Sequence, residues 1–257
     1  MITLTTDFGL KDPYVAELKG AVLTINPKAT IVDVSHGVNK FDVRMGAFIL
    51  ASAAPYFPDG TIHVAVVDPG VGTERRAILA QTKHGFFVGP DNGVLMLAAQ
   101  AEGIEHIYQL TNPKFMLPQV STTFHGRDIF APAAAYLDQG VEAKEFGSEI
   151  TDAVAPKFVA VEHRGDVLVG EVLHVDGFGN VITNISREEA SGFKEAHINL
   201  HHVSLRLPLA ATYGQTKSQE PTALIGSHGF LELAVNLGSF ADKYRVIAGA
   251  RIEVVFA

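Results

Sequence analysis

The chain contains no cysteine, which excludes disulfides and thiolate chemistry. It lacks any apolar run near the ~20 residues that span a bilayer. Basic residues are the minority, 20 against 28 acids for a formal net charge of −8, which argues against a nucleic-acid or anionic-membrane surface. No H-E-x-x-H or comparable ligand spacing occurs, so no metal site is expected. The P-loop, the G-x-G-x-x-G phosphate cradle and the G-x-S-x-G nucleophile elbow are missing too. The first residues carry no basic region or cleavage site and read as a strand, so a soluble cytoplasmic protein is expected.

What is present is a chain of 257 residues, 47% of them hydrophobic, enough for one large or two ordinary domains with a real core. The stretch on which the rest is organised runs from 63 to 76. Val64 to Val67 are small or β-branched and read as a buried strand. Asp68-Pro69-Gly70 and Gly72 then force a turn, because proline cannot donate to a ladder and glycine tolerates positive φ. Asp68 therefore sits where a strand stops, with Arg75 and Arg76 just beyond. In α/β proteins ligands bind beyond strand ends. The plainer alternative is a turn-capping acid with two solvated arginines.

Before this stretch, strands are expected at 2–5 and 30–35 and helices at 12–25 and 41–54. Asp12 reads as a cap, Pro13 as the first helical residue, and Asp42 as an acid near a helix start. Further strands at 77–82 and 86–89 and helices at 94–101 and 129–137 follow. The β-α-β-α-β order predicts a layered parallel sheet with right-handed crossovers, forming an N-terminal α/β domain over 1–155. The texture changes near 156. Seven short β-type segments at 167–175, 181–185, 197–200, 204–207, 222–225, 231–235 and 251–256 are separated by Gly, Asn and Ser turns. They predict a smaller C-terminal all-β domain over 166–257, a barrel or compact sandwich. A linker is expected near 153–166.

Several groups could carry chemistry. Asp7, in Thr6-Asp7-Phe8-Gly9, ends the first strand, and its two oxygens suit the hydroxyls of a ribose; on spacing alone a turn or helix-entry acid fits equally well. Asp176-Gly177-Phe178-Gly179-Asn180 presents an acid, an aromatic ring and an amide within five residues. They could bind an amino group, stack on a ring and read a ring edge. The competing reading is an ordinary glycine-rich hairpin, favoured about two to one. Ser227, in Ser227-His228-Gly229-Phe230, could hold a carboxylate through its hydroxyl and N–H. His125 precedes a helix. The pair His201-His202 reads as solvated.

These motifs, together with Val67-Asp68-Pro69-Gly70-Val71-Gly72, Pro90-Asp91-Asn92-Gly93, Phe124-His125-Gly126-Arg127-Asp128 and Gly226-Ser227-His228-Gly229, resemble in order those of the S-adenosylmethionine hydroxide adenosyltransferases, relatives of the fluorinase and chlorinase. The resemblance spans essentially the whole chain. It implies an N-terminal α/β domain, a C-terminal β-barrel, and a homotrimer with sites between one subunit's N-domain and its neighbour's C-domain. It also implies hydrolysis of S-adenosyl-L-methionine to adenosine and L-methionine, without a cofactor. Asp68, Arg75 and His125 take the catalytic positions. Asp7 falls on the ribose-binding acid, Asp176 on the methionine-binding acid, Asn180 on the adenine-reading amide and Ser227 on the carboxylate-binding serine. Phe41, Phe124, Phe178 and His228 complete the candidate substrate-binding set. The halogenases carry Tyr-Pro where this chain has Asp68-Pro69, and Phe-Tyr-Ser where it has Phe124-His125-Gly126.

The chemistry suits these residue types. A sulfonium leaves as a neutral thioether and needs no general acid. The nucleophile is the difficulty, since free hydroxide at pH 7 would cost about 12 kcal/mol at ~1.36 kcal/mol per pKa unit. Deprotonation is therefore expected to accompany attack. His125 takes the proton while Arg75 positions the oxygen, or Asp68 takes it directly. A halide-dependent adenosyl transferase, a non-catalytic nucleoside-binding protein and a trimeric structural protein remain as competing classes.

Overall fold

The computed structural model describes residues 1–200 and 203–256, so the His201-His202 pair lies outside the described residues. The chain divides into two compact units, Met1–Ala155 and Pro156–Ala257.

The first unit carries strands β1 (Ile2–Thr6), β2 (Ile31–Ser35), β3 (Thr61–Val66), β4 (Ala77–Thr82), β5 (Gly85–Pro90) and β6 (Ile104–Gln109) in one sheet, ordered β2-β1-β3-β5-β4-β6. β1, β2, β3 and β5 pair in parallel, whereas β4 runs antiparallel to both β5 and β6. The sheet is therefore mixed, which corrects the expectation of a wholly parallel one. Only Lys83 and His84 separate β4 from β5, too few for a crossover helix, so the chain makes a hairpin. Thr82 Oγ1 closes it, accepting from Gly85 N at 3.0 Å. Every residue of β1 and β3 is buried, as a strand covered on both faces requires.

Helices α1 (Tyr14–Ile25), α2 (Val43–Ala53), α3 (Met96–Glu102) and α4 (Ala131–Asp138) accompany the sheet. α1 buries Val15, Leu18 and Val22 at helical spacing. Its start differs from expectation: Pro13 occupies the N-cap position without a side-chain hydrogen bond, and Asp12 does not cap. α2 starts two residues later than expected because Phe41 is left-handed, with φ of 67°. Asp42 is its cap, accepting from Met45 N at 2.9 Å. One wide turn of π-helix, Gly126–Phe130, precedes α4. The core gathers Leu4, Leu18, Val64, Val66, Leu79, Val88, Phe130 and Phe146.

In the second unit, β8 (Val167–Val175), β9 (Val181–Ser186), β10 (Glu195–Leu200), β11 (Val203–Ala210), β12 (Pro221–Ile225), β13 (Phe230–Val235) and β14 (Arg251–Phe256) form a barrel. The order is β14-β10-β11-β12-β13-β9-β8, and β14 pairs with β8 to close it, with β7 (Glu162–Arg164) beside β8. Closure leaves those seven strands no free edge and excludes the sandwich alternative. Val172, Ile198, Leu231, Leu233, Phe240 and Val254 fill the interior. A short helix, α5 (Phe240–Tyr244), is capped by Ser239 Oγ, which accepts from Asp242 N at 3.0 Å.

Candidate active site

β1 and β3 are neighbours in register, Thr6 opposite Val66, so Asp7 and Asp68 leave the sheet side by side. Both line a cavity of about 550 Å³ with Phe8, Tyr14, Phe41, Phe124 and His125. Beyond the end of β3, the loop 67–76 folds on itself. Thr73 Oγ1 donates to Gly70 O at 2.7 Å, and the turn returns Arg75 to Asp68. Arg75 Nε donates to Asp68 Oδ1 at 2.9 Å and to Oδ2 at 3.1 Å, and Nη2 also donates to Oδ2. The two side chains are 10% and 6% exposed, so the pair is largely shielded from solvent. Arg75 Cζ also lies 5.3 Å from the centre of the Phe130 ring, within reach of a cation–π attraction.

His125 arrives from the segment before the π turn. Its Nδ1 lies 2.9 Å from Arg75 Nη2. A guanidinium only donates, so Nδ1 accepts and the ring proton sits on Nε2. Burial, then the Arg75 charge, push the His125 pKa below its ordinary value, against weaker opposing pulls from Asp68 and Asp128. The imidazole is therefore neutral at pH 7. Asp68 and His125 face the cavity, and Arg75 stands behind them and holds both.

Gly72 sets how closely these segments meet. Its φ is +77°, and an added Cβ would fall 2.3 Å from Thr122 O. Only glycine lets the 67–76 loop lie against the strand of backbone that leads into His125. Gly126 is also crowded, since a Cβ there would lie 3.3 Å from Val66 Cγ1.

Asp7 Oδ2 accepts from Phe41 N at 2.8 Å, which ties the first-strand loop to the left-handed turn before α2. Phe41 is 67% exposed. Phe124 packs edge-on against Phe8 at 5.6 Å and Tyr14 at 5.2 Å. Phe8 and Tyr14 thus belong to the cavity wall, which the sequence reading missed. Phe8 stood inside a quoted motif, but nothing in the spacing marked Tyr14, which meets Phe8 at 5.8 Å and Phe124, from a distant part of the chain, at 5.2 Å. Arg127 lies over Phe124 at 5.1 Å and is held by Glu17 and Asp128.

In the barrel unit, the 176–180 stretch is the β8–β9 hairpin. Asp176 Oδ1 accepts from Phe178 N and Asn180 N, and Oδ2 accepts from Asn180 Nδ2, each at 2.9 Å. The hairpin and the polar presentation coexist. Asn180 is buried, while Phe178 is 82% exposed at the tip. Ser227 and His228 are exposed on the turn between β12 and β13. Beneath that turn Glu232 is buried, and it accepts from Tyr213 Oη at 2.5 Å. Burial raises its pKa, opposed by the Tyr213 hydrogen bond, with Asp176 raising it further and His228 lowering it. Glu232 was not foreseen. Among the described residues no group of three His, Asp or Glu is arranged to hold a metal ion, and no helix is long and apolar enough to cross a membrane.

A mixed α/β unit carrying an acid, a guanidinium and an imidazole at the cavity beside its central strands, followed by a closed barrel, defines a two-part architecture of the adenosyltransferase kind. The chain belongs to the SAM hydroxide adenosyltransferase family, whose N-terminal domain matches residues 2–147 and C-terminal domain residues 170–253. Among its relatives, the (R)-S-adenosyl-L-methionine hydrolase of Thermus thermophilus is 40% identical over 97% of both chains. That of Salinispora arenicola is 38% identical over 98% of this chain and 97% of its own. The fluorinase of an Actinoplanes species is more distant, 29% identical over 100% and 98%. A Thermotoga maritima protein of uncharacterized function has a crystal structure that superposes with a TM-score of 0.87 at 37% identity, covering 99% of this chain and all of that one.

Proposed function

We propose that this chain hydrolyses S-adenosyl-L-methionine to adenosine and L-methionine, with water attacking the ribose 5′-carbon. The convergence of Asp68, Arg75 and His125 at the cavity is the observation that carries the reading. Relatives named as hydrolases at 38–40% identity over nearly the whole chain support it.

The hydrogen bonds support a division of roles. His125 Nδ1 is occupied by Arg75, so its Nε2–H is the group free to hold the water oxygen. A ring that already carries its proton on Nε2 and accepts on Nδ1 is poorly placed to take another. Asp68 is the remaining acceptor. A weak base suffices, because the proton of the attacking water becomes strongly acidic only as the C–O bond forms. As that bond forms, the C5′–S bond breaks with its electron pair going to sulfur. The proton passes to Asp68 and then to solvent. Arg75 fixes the acid and the imidazole relative to each other, which is preorganisation rather than proton transfer. The leaving group is a neutral thioether, so the reaction calls for no cofactor.

Asp7 is the ribose-binding acid, with Phe41 and Phe124 flanking the nucleoside. Asp176, Asn180, Phe178, Ser227 and His228 bind the methionine and adenine ends, supplied by a neighbouring subunit in a homotrimer. The setting is the cytoplasm, where the substrate is available. A carboxylate on the cavity wall disfavours a halide nucleophile, and the crowding at Gly126 leaves little room there for a halide-binding serine.

The test is incubation with S-adenosylmethionine in ¹⁸O-water, with and without chloride and fluoride. Adenosine and methionine in equal amounts, with the label in adenosine, are expected. A 5′-halo-adenosine, label in methionine, or an unconsumed substrate would overturn the assignment.

A further inference from the structure

The turn 90–93 lies outside the cavity lining, yet it grips both ends of the loop that carries Asp68 and Arg75. On one side, Asn92 Nδ2 donates to Val67 O at 2.8 Å, one residue before Asp68. On the other, Asp91 N donates to Arg76 O at 2.9 Å, one residue after Arg75. That same carbonyl accepts from Arg75 Nη1 at 3.3 Å. Asp91 also takes the Arg76 side chain, Nε at 2.8 Å and Nη2 at 2.6 Å, and is itself buried. A ten-residue loop between 67 and 76 is thus pinned at its two feet by adjacent residues of one turn.

We infer that Asn92 is a positioning residue for the Asp68–Arg75–His125 cluster, acting through the Val67 carbonyl. The inference rests on the hydrolase reading for its kinetic test but not for its spectroscopic one. The two ends of this amide have separate tasks. Asn92 Oδ1 accepts from Val94 N at 3.1 Å, which shapes the turn, and Nδ2 alone reaches the loop. An Asp68 anchored at its preceding peptide cannot swing with the loop. Its Oδ2 and His125 Nδ1 then share Arg75 Nη2 at fixed spacing. Misplacement by about 1 Å at such a site typically lowers turnover by roughly two orders of magnitude.

Asn92→Asp separates the two roles of the side chain. It retains an oxygen for Val94 N, and replaces the donor to Val67 O with a second acceptor that repels it. Turnover with S-adenosylmethionine is expected to fall ~10- to 100-fold, with KM and adenosine affinity within about twofold of the parent. In parallel, ¹⁵N and ¹³C signals of His125 report the cluster directly. Displacing Arg75 removes a cation from Nδ1, so the imidazole of the variant is expected to titrate at higher pH and to lose its single tautomer. Should N92D not fold, N92S removes the amide donor without adding charge and is measured the same way. Unchanged turnover with unchanged His125 titration would overturn the inference. So would parallel loss of turnover, KM and adenosine affinity, which marks a general disturbance. If the unaltered protein formed no adenosine, the hydrolase reading would fail, and the His125 titration would still decide the role of Asn92.

Discussion

Lowering the pH should destabilise this protein through His63. The residue is 3% exposed on β3, with Nδ1 2.8 Å from Thr3 Oγ1. Its ring stacks on Phe87 at 4.9 Å and meets the edge of Phe57 at 5.6 Å. Burial depresses its pKa to about 4. An unfolded chain returns histidine to about 6.5. Between these values the unfolded state binds the proton and the folded state does not, so stability rises with pH across the window. The contribution is intact above about 6.5 and is lost as the pH falls toward 4. At ~1.36 kcal/mol per unit, the full loss is about 3 kcal/mol, of which about 2.5 should be gone by pH ~4.5. Urea unfolding at pH values between about 7.5 and 4.5, on the parent and on His63→Gln, isolates the effect. Glutamine can still meet Thr3 and does not titrate in this range. Its stability should fall less with acid, by about 2.5 kcal/mol. Parallel pH profiles for the two proteins would refute the reasoning.

Other outcomes follow from the site. His125→Ala should lower kcat by ~10²-fold or more while leaving S-adenosylmethionine affinity nearly unchanged, and equal losses in single-turnover kinetics and calorimetry would make it a binding residue. Because burial and Arg75 hold His125 below its ordinary pKa, the acid limb of kcat should lie below pH ~6.5; an inflection above that value would contradict the neutral imidazole. Asp7→Asn should weaken adenosine binding by roughly tenfold or more, and unchanged calorimetric affinity would remove its ribose role. Gly72→Ala forces a residue at φ +77° against Thr122 O; a loss of about 2 kcal/mol or more in stability, together with reduced turnover, is expected.

The loop at Asp68 was legible because proline and glycine stop a strand wherever they occur after a β-branched run. The barrel strands were legible from their turn spacing, and closure then needed only β14 to meet β8. The direction of β4 was not marked by its side chains, since it depends on a two-residue connection rather than on composition. Phe41 looked like a helix start because its left-handed backbone is rare for a large side chain, and the Asp7 bond that accompanies it comes from another strand. Strand β6 escaped because its buried residues, Ile107 and Tyr108, are adjacent rather than alternating. The short helix α5 was available from Ser239 and Asp242, a capping signal three residues apart. Asp68, Arg75 and His125 were named from motif order, but their hydrogen bonds, and hence which nitrogen of His125 carries the proton, exist only once the loop folds back. The work of Asn92 left no trace in composition, because its partner is a main-chain oxygen 25 residues away.

The placement of β1 between β2 and β3 has a consequence for how the protein matures. Ile2 pairs with Ile62 and Ile31, so this strand waits for a partner synthesised some sixty residues later. The groups around the cavity come from four stretches of chain that no local structure brings together. A nascent or partly melted molecule can keep its helices and hairpins and still hold no working centre. Turnover is then a stricter gauge of native assembly than any measure of secondary structure.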